Sequence, residues 1–184
     1  MIAYFGTMYK IEDFTSEGNV QNANNVIGTI GLWLTSDIQS AKPYAIGTET
    51  VYQKSETDFW EDGKPKVIQV ERRVTGYIYK LFLDEPNLKI YDSNNGDSYE
   101  LFMNDRDKYC EYIHARKRNF TWKDEATLLN MEEANEKFRN NLIHQGYEGF
   151  VIRNYKRQNG VTDLYCLFSI KSPLISDIIP VETL

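Results

Sequence analysis

Histidine and cysteine are nearly missing from this chain of 184 residues: His114, His144, Cys110 and Cys166 are the whole supply. Two distant cysteines give no disulfide framework and no zinc-type spacing, and two histidines leave a His-rich metal centre unexpected. Nor does any apolar run approach the roughly 20 residues of a membrane-spanning helix. The opening MIAYFGTMYK enters a strand-like run directly, without the pattern of a secretory leader. Positive charge is short as well, and the net charge of −6 argues against coating by nucleic acid, though a local basic patch remains open. Repeats and low-complexity segments are absent. The expectation is one soluble domain, residues 1–184, of a reducing cytoplasm, with no membrane partner.

What the chain does hold is ordinary globular stock, 41% hydrophobic and 26% charged, with an excess of aromatics at 14%, thirteen of them Tyr. Tyr suits a cleft wall, with an apolar body and a polar tip, and suits strands equally well. Ile2 to Phe5, Leu32 to Leu34, Val67 to Val70 and Tyr77 to Leu83 read as strands, the last by alternation. Leu88 to Tyr91 and Tyr99 to Met103 read as weaker ones, with the turn Asp92 to Asp97 between them. Lys10 to Gly28 is polar and reads as a loop with room for one short helix. Thr35, Ser36 and Asp37 offer N-cap oxygens to a short helix near Pro43. Thr48 to Lys64 is charged and ends in the turn signal Glu61-Asp62-Gly63-Lys64. Met131, Ala134, Phe138 and Leu142 recur at helical steps and predict a helix over Asp124–Gln145, stopped by Gly146. Phe150 to Arg153, Leu164 to Ser169 and Ile178 to Val181 complete an α+β pattern with mostly antiparallel pairing.

Two constellations stand out. Trp33 and Tyr44 lie eleven residues apart across a strand and a capped turn. With the backbone of Gly6-Thr7 beside them, they are suited to a slot that grips a flat, amide-bearing ring; simple core packing is the alternative. The run His114 to Lys123, HARKRNFTWK, sets Arg116, Lys117, Arg118 and Lys123, with Arg106 nearby, around Phe120 and Trp122. Such a mixture suits a phosphate backbone, stacked bases, an acidic protein or the diphosphate of NAD, or else forms a solvated helix face.

Phe5-Gly6-Thr7 resembles the His-Gly-Thr or His-Gly-Ser of ADP-ribosyltransferases with a His-Tyr-Glu signature. GLWLTSDIQSAKPYA, Gly31 to Ala45, resembles their strand and helix ending in a stacking Tyr. YIYKLFLDEPNLKIYD, GYEGFVIRN and LYCLFSIKSPLISDIIPV resemble, in order, runs in the ADP-ribosyltransferase-like domains of phage polyvalent proteins. The resemblance implies two small, mostly antiparallel sheets forming a cleft, with peripheral helices. It also implies NAD as substrate: Gly6 holding the nicotinamide amide, Tyr44 stacking on the ring, Trp33 on the opposing strand, and Phe5 and Thr7 beside them. Phe5 stands where the family has a His that contacts a ribose hydroxyl, and Phe donates no hydrogen bond.

Cleavage of the nicotinamide–ribose bond needs a carboxylate near the positive charge that develops. The family's Glu falls on Leu164. The candidate acids are therefore Asp163, brought round if a bulge follows Thr162, and Glu148, in the Gly146-Tyr147-Glu148-Gly149 turn. The implied activity is NAD-dependent ADP-ribosylation of a host protein or nucleic acid by a phage or bacterial effector. The alternatives are an inactive binding module on the same fold and an unrelated α+β protein that binds partners through HARKRNFTWK.

Overall fold

The computed structural model describes residues 1–11, 30–94, 96–116, 123–157, 160–169 and 174–183. It is an α+β fold built on one seven-stranded sheet. In chain order its strands are β1 (Ile2–Thr7), β2 (Leu32–Thr35), β5 (Tyr77–Phe82), β6 (Leu88–Tyr91), β7 (Gly149–Arg157), β8 (Gly160–Leu167) and β9 (Leu174–Pro180). Across the sheet they run β6-β7-β8-β2-β1-β5-β9, and only β6 and β7 are parallel. Between β2 and β5 the chain makes the short helix α1 (Ile38–Ala41) and a tight turn of 3-10 helix, Lys42–Ala45. It then leaves the sheet as a separate two-stranded ribbon, β3 (Ile46–Phe59) and β4 (Pro65–Thr75). The helices α2 (Ser98–Arg116) and α3 (Lys123–His144) connect β6 to β7. No helix among the described residues is long and apolar enough to cross a membrane.

Alternation along the strands sorts the core into two faces. Ala3, Leu34, Tyr79, Leu81, Val151, Tyr165 and Leu167 share one face. On the other, Phe150, Ile152, Leu164 and Cys166 meet Phe102 of α2 and Phe138 and Leu142 of α3. Further along this helix side, Ile78 meets Ala41, Ala45 and Val181. The expected pair of small sheets is thus an uneven pair, seven strands and two. Yet the large sheet has a thin seam. β1 matches β5 at six consecutive positions and β2 matches β8 at four, whereas β1 and β2 share only Tyr4 with Thr35.

The helix expected over Asp124–Gln145 is α3. It stops as predicted: Gly146 takes φ 85°, Tyr147 N–H donates to Leu142 O and Gly146 N–H to Ile143 O. The expected strand Tyr99 to Met103 is instead the start of α2. Asp97 accepts the Tyr99 N–H at 2.9 Å, and Tyr99, Phe102 and Met103 turn a helical face to the core while Leu101 stays exposed. The segment takes the helical period of 3.6 because Phe102 must be buried together with Tyr99 and Met103 on one face. The segment Lys10 to Gly28 lies outside the described residues beyond Ile11.

Candidate functional site

Of the residues expected at the slot, folding brings Gly6 and Tyr44 together, beside the seam. Met1 and Leu83 exchange hydrogen bonds in both directions, Met1 N to Leu83 O at 2.7 Å and Leu83 N to Met1 O at 2.8 Å. Doubly bonded pairs alternate along an antiparallel ladder. Ala3, Phe5 and Thr7 therefore turn their backbone groups toward β5, and Tyr4 and Gly6 turn theirs toward β2. Counting from the Tyr4–Thr35 pair sets Gly6 opposite Trp33, but no ladder pair joins them. The N–H and C=O of Gly6 thus face the seam just past its last rung.

Tyr44 stands over this point, because a Cβ added to Gly6 would lie 3.1 Å from Tyr44 Cβ and 2.1 Å from the Ala41 carbonyl oxygen. Glycine is needed here so that α1 can settle on β1; the room above its Cα is taken by the Ala41 carbonyl, not left for a ring. α1 is held by Asp37, whose carboxylate accepts the Ser40 N–H at 2.8 Å. Tyr44, on the following turn, keeps 46% of its surface exposed. Thr7 Oγ1 accepts the Tyr9 N–H at 3.2 Å at the end of β1.

Trp33 lies on the same side of the sheet as Tyr44, but its ring is built into the helix-side core. It meets Phe150 edge-on at 5.4 Å and Phe102 at 5.9 Å. Phe5 points to the opposite face, against the cluster that holds Ala3, Leu34 and Tyr79. Gly6 and Tyr44 are thus neighbours, while Trp33 is packed with Phe102 and Phe150, so the expected sandwich of two rings is not formed.

The acids are dispersed. Leu164 is buried on the helix side among Ile152 and Cys166. Asp163, one residue earlier, faces the other way, as strand alternation demands. Its carboxylate receives Arg153 Nη1 at 2.5 Å and the Asn154 N–H at 2.9 Å. A bulge exists here, but in β7 rather than after Thr162. The register passes from Ile152–Leu164 to Tyr155–Thr162, so Arg153 and Asn154 together oppose Asp163, and Asn154 sits at φ 53°. The bulge wraps the carboxylate and raises the Arg153 pKa through its hydrogen bond to Asp163. Asp163 is not turned toward Tyr44.

Glu148 is exposed at the start of β7, three strands from β1 in the sheet order. Its carboxylate accepts the Asn87 N–H at 2.9 Å and its own N–H donates to Asn87 O at 2.8 Å, which fastens the turn. The structure does not bring Glu148 to Gly6 and Tyr44.

Two polar groups at the seam escaped the sequence reading. Asp37 was legible only as a cap, yet its carboxylate also takes the buried Thr162 hydroxyl. Burial pushes that carboxyl up, but the bonds from Thr162 and Ser40 outweigh it and hold it below the usual range. Ser36 Oγ joins Thr162 Oγ1 at 3.1 Å and receives the Asp163 N–H at 3.0 Å. No spacing in the sequence announces these partners, because they come from strands that meet only on folding.

Of the basic run, Lys117, Arg118, Phe120 and Trp122 lie outside the described residues, Arg116 ends α2 and Lys123 opens α3. Arg106 is removed from any surface patch. It is buried between α2 and α3, with Nε on Asn135 Oδ1 at 2.8 Å and Nη1 on Asp107 Oδ1 at 2.7 Å.

Comparison with protein families, with curated proteins and with solved structures finds no match for this chain.

Proposed function

We propose that the protein is an ADP-ribosyltransferase-like domain that takes NAD by its nicotinamide ring at the seam between β1 and β2. The Gly6 edge carries this reading. A backbone N–H and C=O side by side, past the last rung of a ladder, complement the acceptor and donors of a carboxamide. Tyr44, half-exposed and adjacent to Gly6, supplies an aromatic side chain for stacking.

The acids decide between the two forms of this reading. Transfer of ADP-ribose to a host protein or nucleic acid, as a phage or bacterial effector would perform it, needs a carboxylate at the reacting ribose. Leu164 fills the place of the family's glutamate, Asp163 is committed to Arg153 on the other face, and Glu148 is committed to Asn87, three strands from β1. These placements favour the binding form, a module that keeps the slot without the cleavage.

Calorimetry with NAD and with nicotinamide tests the slot. Stacking adds about 0.5–1.5 kcal/mol, so Tyr44→Ala should weaken binding about three- to tenfold. Absence of binding at millimolar ligand overturns the reading. Nicotinamide release with host lysate as acceptor separates the two forms. The binding form predicts none. Release that is lost in Glu148→Gln or in Asp163→Asn would restore the enzyme and name its acid.

A further inference from the structure

We propose that two copies of this chain pair through the outer edges of β4, joining their ribbons into a four-stranded antiparallel sheet. The ribbon is an unusual element for a chain to leave alone. β3 has 14 residues, so it reaches about 45 Å, and its only strand partner among the described residues is β4. A two-stranded ribbon is marginal by itself in water, whereas three or more strands hold.

The edge of β4 has the polarity to recognise itself. Gly76 N–H bonds to Ala45 O at 2.7 Å, and the register runs on from Ile46–Thr75. Alternation then turns the backbone groups of Arg72, Val70 and Val74 inward to β3, and those of Gln69, Glu71 and Arg73 outward. Glu71 and Arg73 are charges on that outward edge. They lie opposite Thr50 and Thr48, both are exposed, and neither forms an ion pair with another of the described residues. Their neighbour Arg72 is held across the ribbon by Glu49 at 2.9 Å.

A two-fold axis through Arg72 sets Glu71 of each copy opposite Arg73 of the other, as a doubly hydrogen-bonded pair with opposite charges. The same axis sets Val70 against Val74 on the other face. Arg72 meets its own copy, each neutralised by its own Glu49.

Sedimentation of the full chain at about 1–100 μM tests this. Wild type should sediment as a dimer. Glu71→Arg and Arg73→Glu each set like charges opposite one another twice, and each should weaken the dimer by about tenfold or more. The double exchange, Glu71→Arg with Arg73→Glu, should restore it. Both side chains are exposed, so the melting of the monomer serves as a check that the variants fold. A wild type that stays monomeric throughout, single variants that still dimerise, or a double exchange that restores nothing would each overturn the proposal.

Discussion

Asp105 collects three donors: Lys89 Nζ at 2.7 Å, Tyr91 OH at 2.7 Å and Lys108 Nζ at 3.2 Å. It ties α2 to β6 at the border of the aromatic core. Burial pushes the carboxyl up, but the bonds from Lys89, Tyr91 and Lys108 prevail and hold it below its ordinary 3.8. A carboxyl depressed in the folded state stabilises above its unfolded value, and the gain is lost as pH falls through the folded one. Asp105→Asn should therefore cost about 1–2 kcal/mol at pH 7, a figure kept small by partial exposure of both ions. The gap between variant and wild type should narrow as pH falls below the ordinary 3.8 and through the lowered folded value, where the wild-type carboxyl takes up its proton. Urea melts at pH 7 and pH 3 check both parts; a gap that widens in acid would contradict the sign. The network was invisible in the sequence, since Lys89 and Tyr91 belong to a strand and Asp105 to a helix. Their residue types gave no reason to join them.

Among the elements, α3 is the one whose sequence spoke most plainly. Ala134, Phe138 and Leu142 are all buried, as the helical spacing required. Phe138 packs edge-on against Phe102 and Phe150, each at 5.9 Å, and against Tyr109 at 5.8 Å. Phe138→Ala should cost about 3–5 kcal/mol in denaturant melts, because it removes a large ring from a site with rigid neighbours. A loss under half of that range would mean that the cluster collapses into the gap. α2 was misread for the opposite reason. Its core contact rests on Tyr99, Phe102 and Met103, and a segment of that length satisfies the strand template as well. β3 was missed altogether, since a ribbon with one half-buried face and one exposed face shows a charged, broken pattern. Only its turn was legible: Trp60 N–H bonds Lys64 O at 2.8 Å, and Gly63 takes φ 79°.

At the scale of the molecule, the seam divides the large sheet into a four-stranded lobe, β6-β7-β8-β2, and a three-stranded lobe, β1-β5-β9, with one rung between them. Amides that bond across β1 and β5 belong to a continuous ladder and open only with that lobe. The Gly6 amide faces the seam and lacks that protection. Hydrogen exchange should therefore be faster at Gly6 than at Phe5 and Thr7, by about tenfold or more. Millimolar nicotinamide should slow Gly6 selectively. Equal protection at the three amides would mean that the lobes are laced more tightly than their register, and the slot would lose its backbone donor.

The sequence by itself determined the α+β class, the helix over residues 124–145 and its glycine stop, the capped turn before Pro43, and the strand around Tyr79. These are local matters of period, capping and turn chemistry, which a short window contains. It also brought Gly6 and Tyr44 to one list, and folding puts them in contact. Tertiary structure alone decided the rest. Trp33 is drawn into the aromatic cluster because Phe102 and Phe150 arrive from elements far along the chain. Asp163 is turned from Tyr44 because strand alternation gives the helix side to Leu164, and the bulge in β7 supplies Arg153 to hold it. Glu148 became a turn fastener because Asn87 crosses beside it. Each outcome depends on which strand lies next to which, and that order is a property of the assembled sheet.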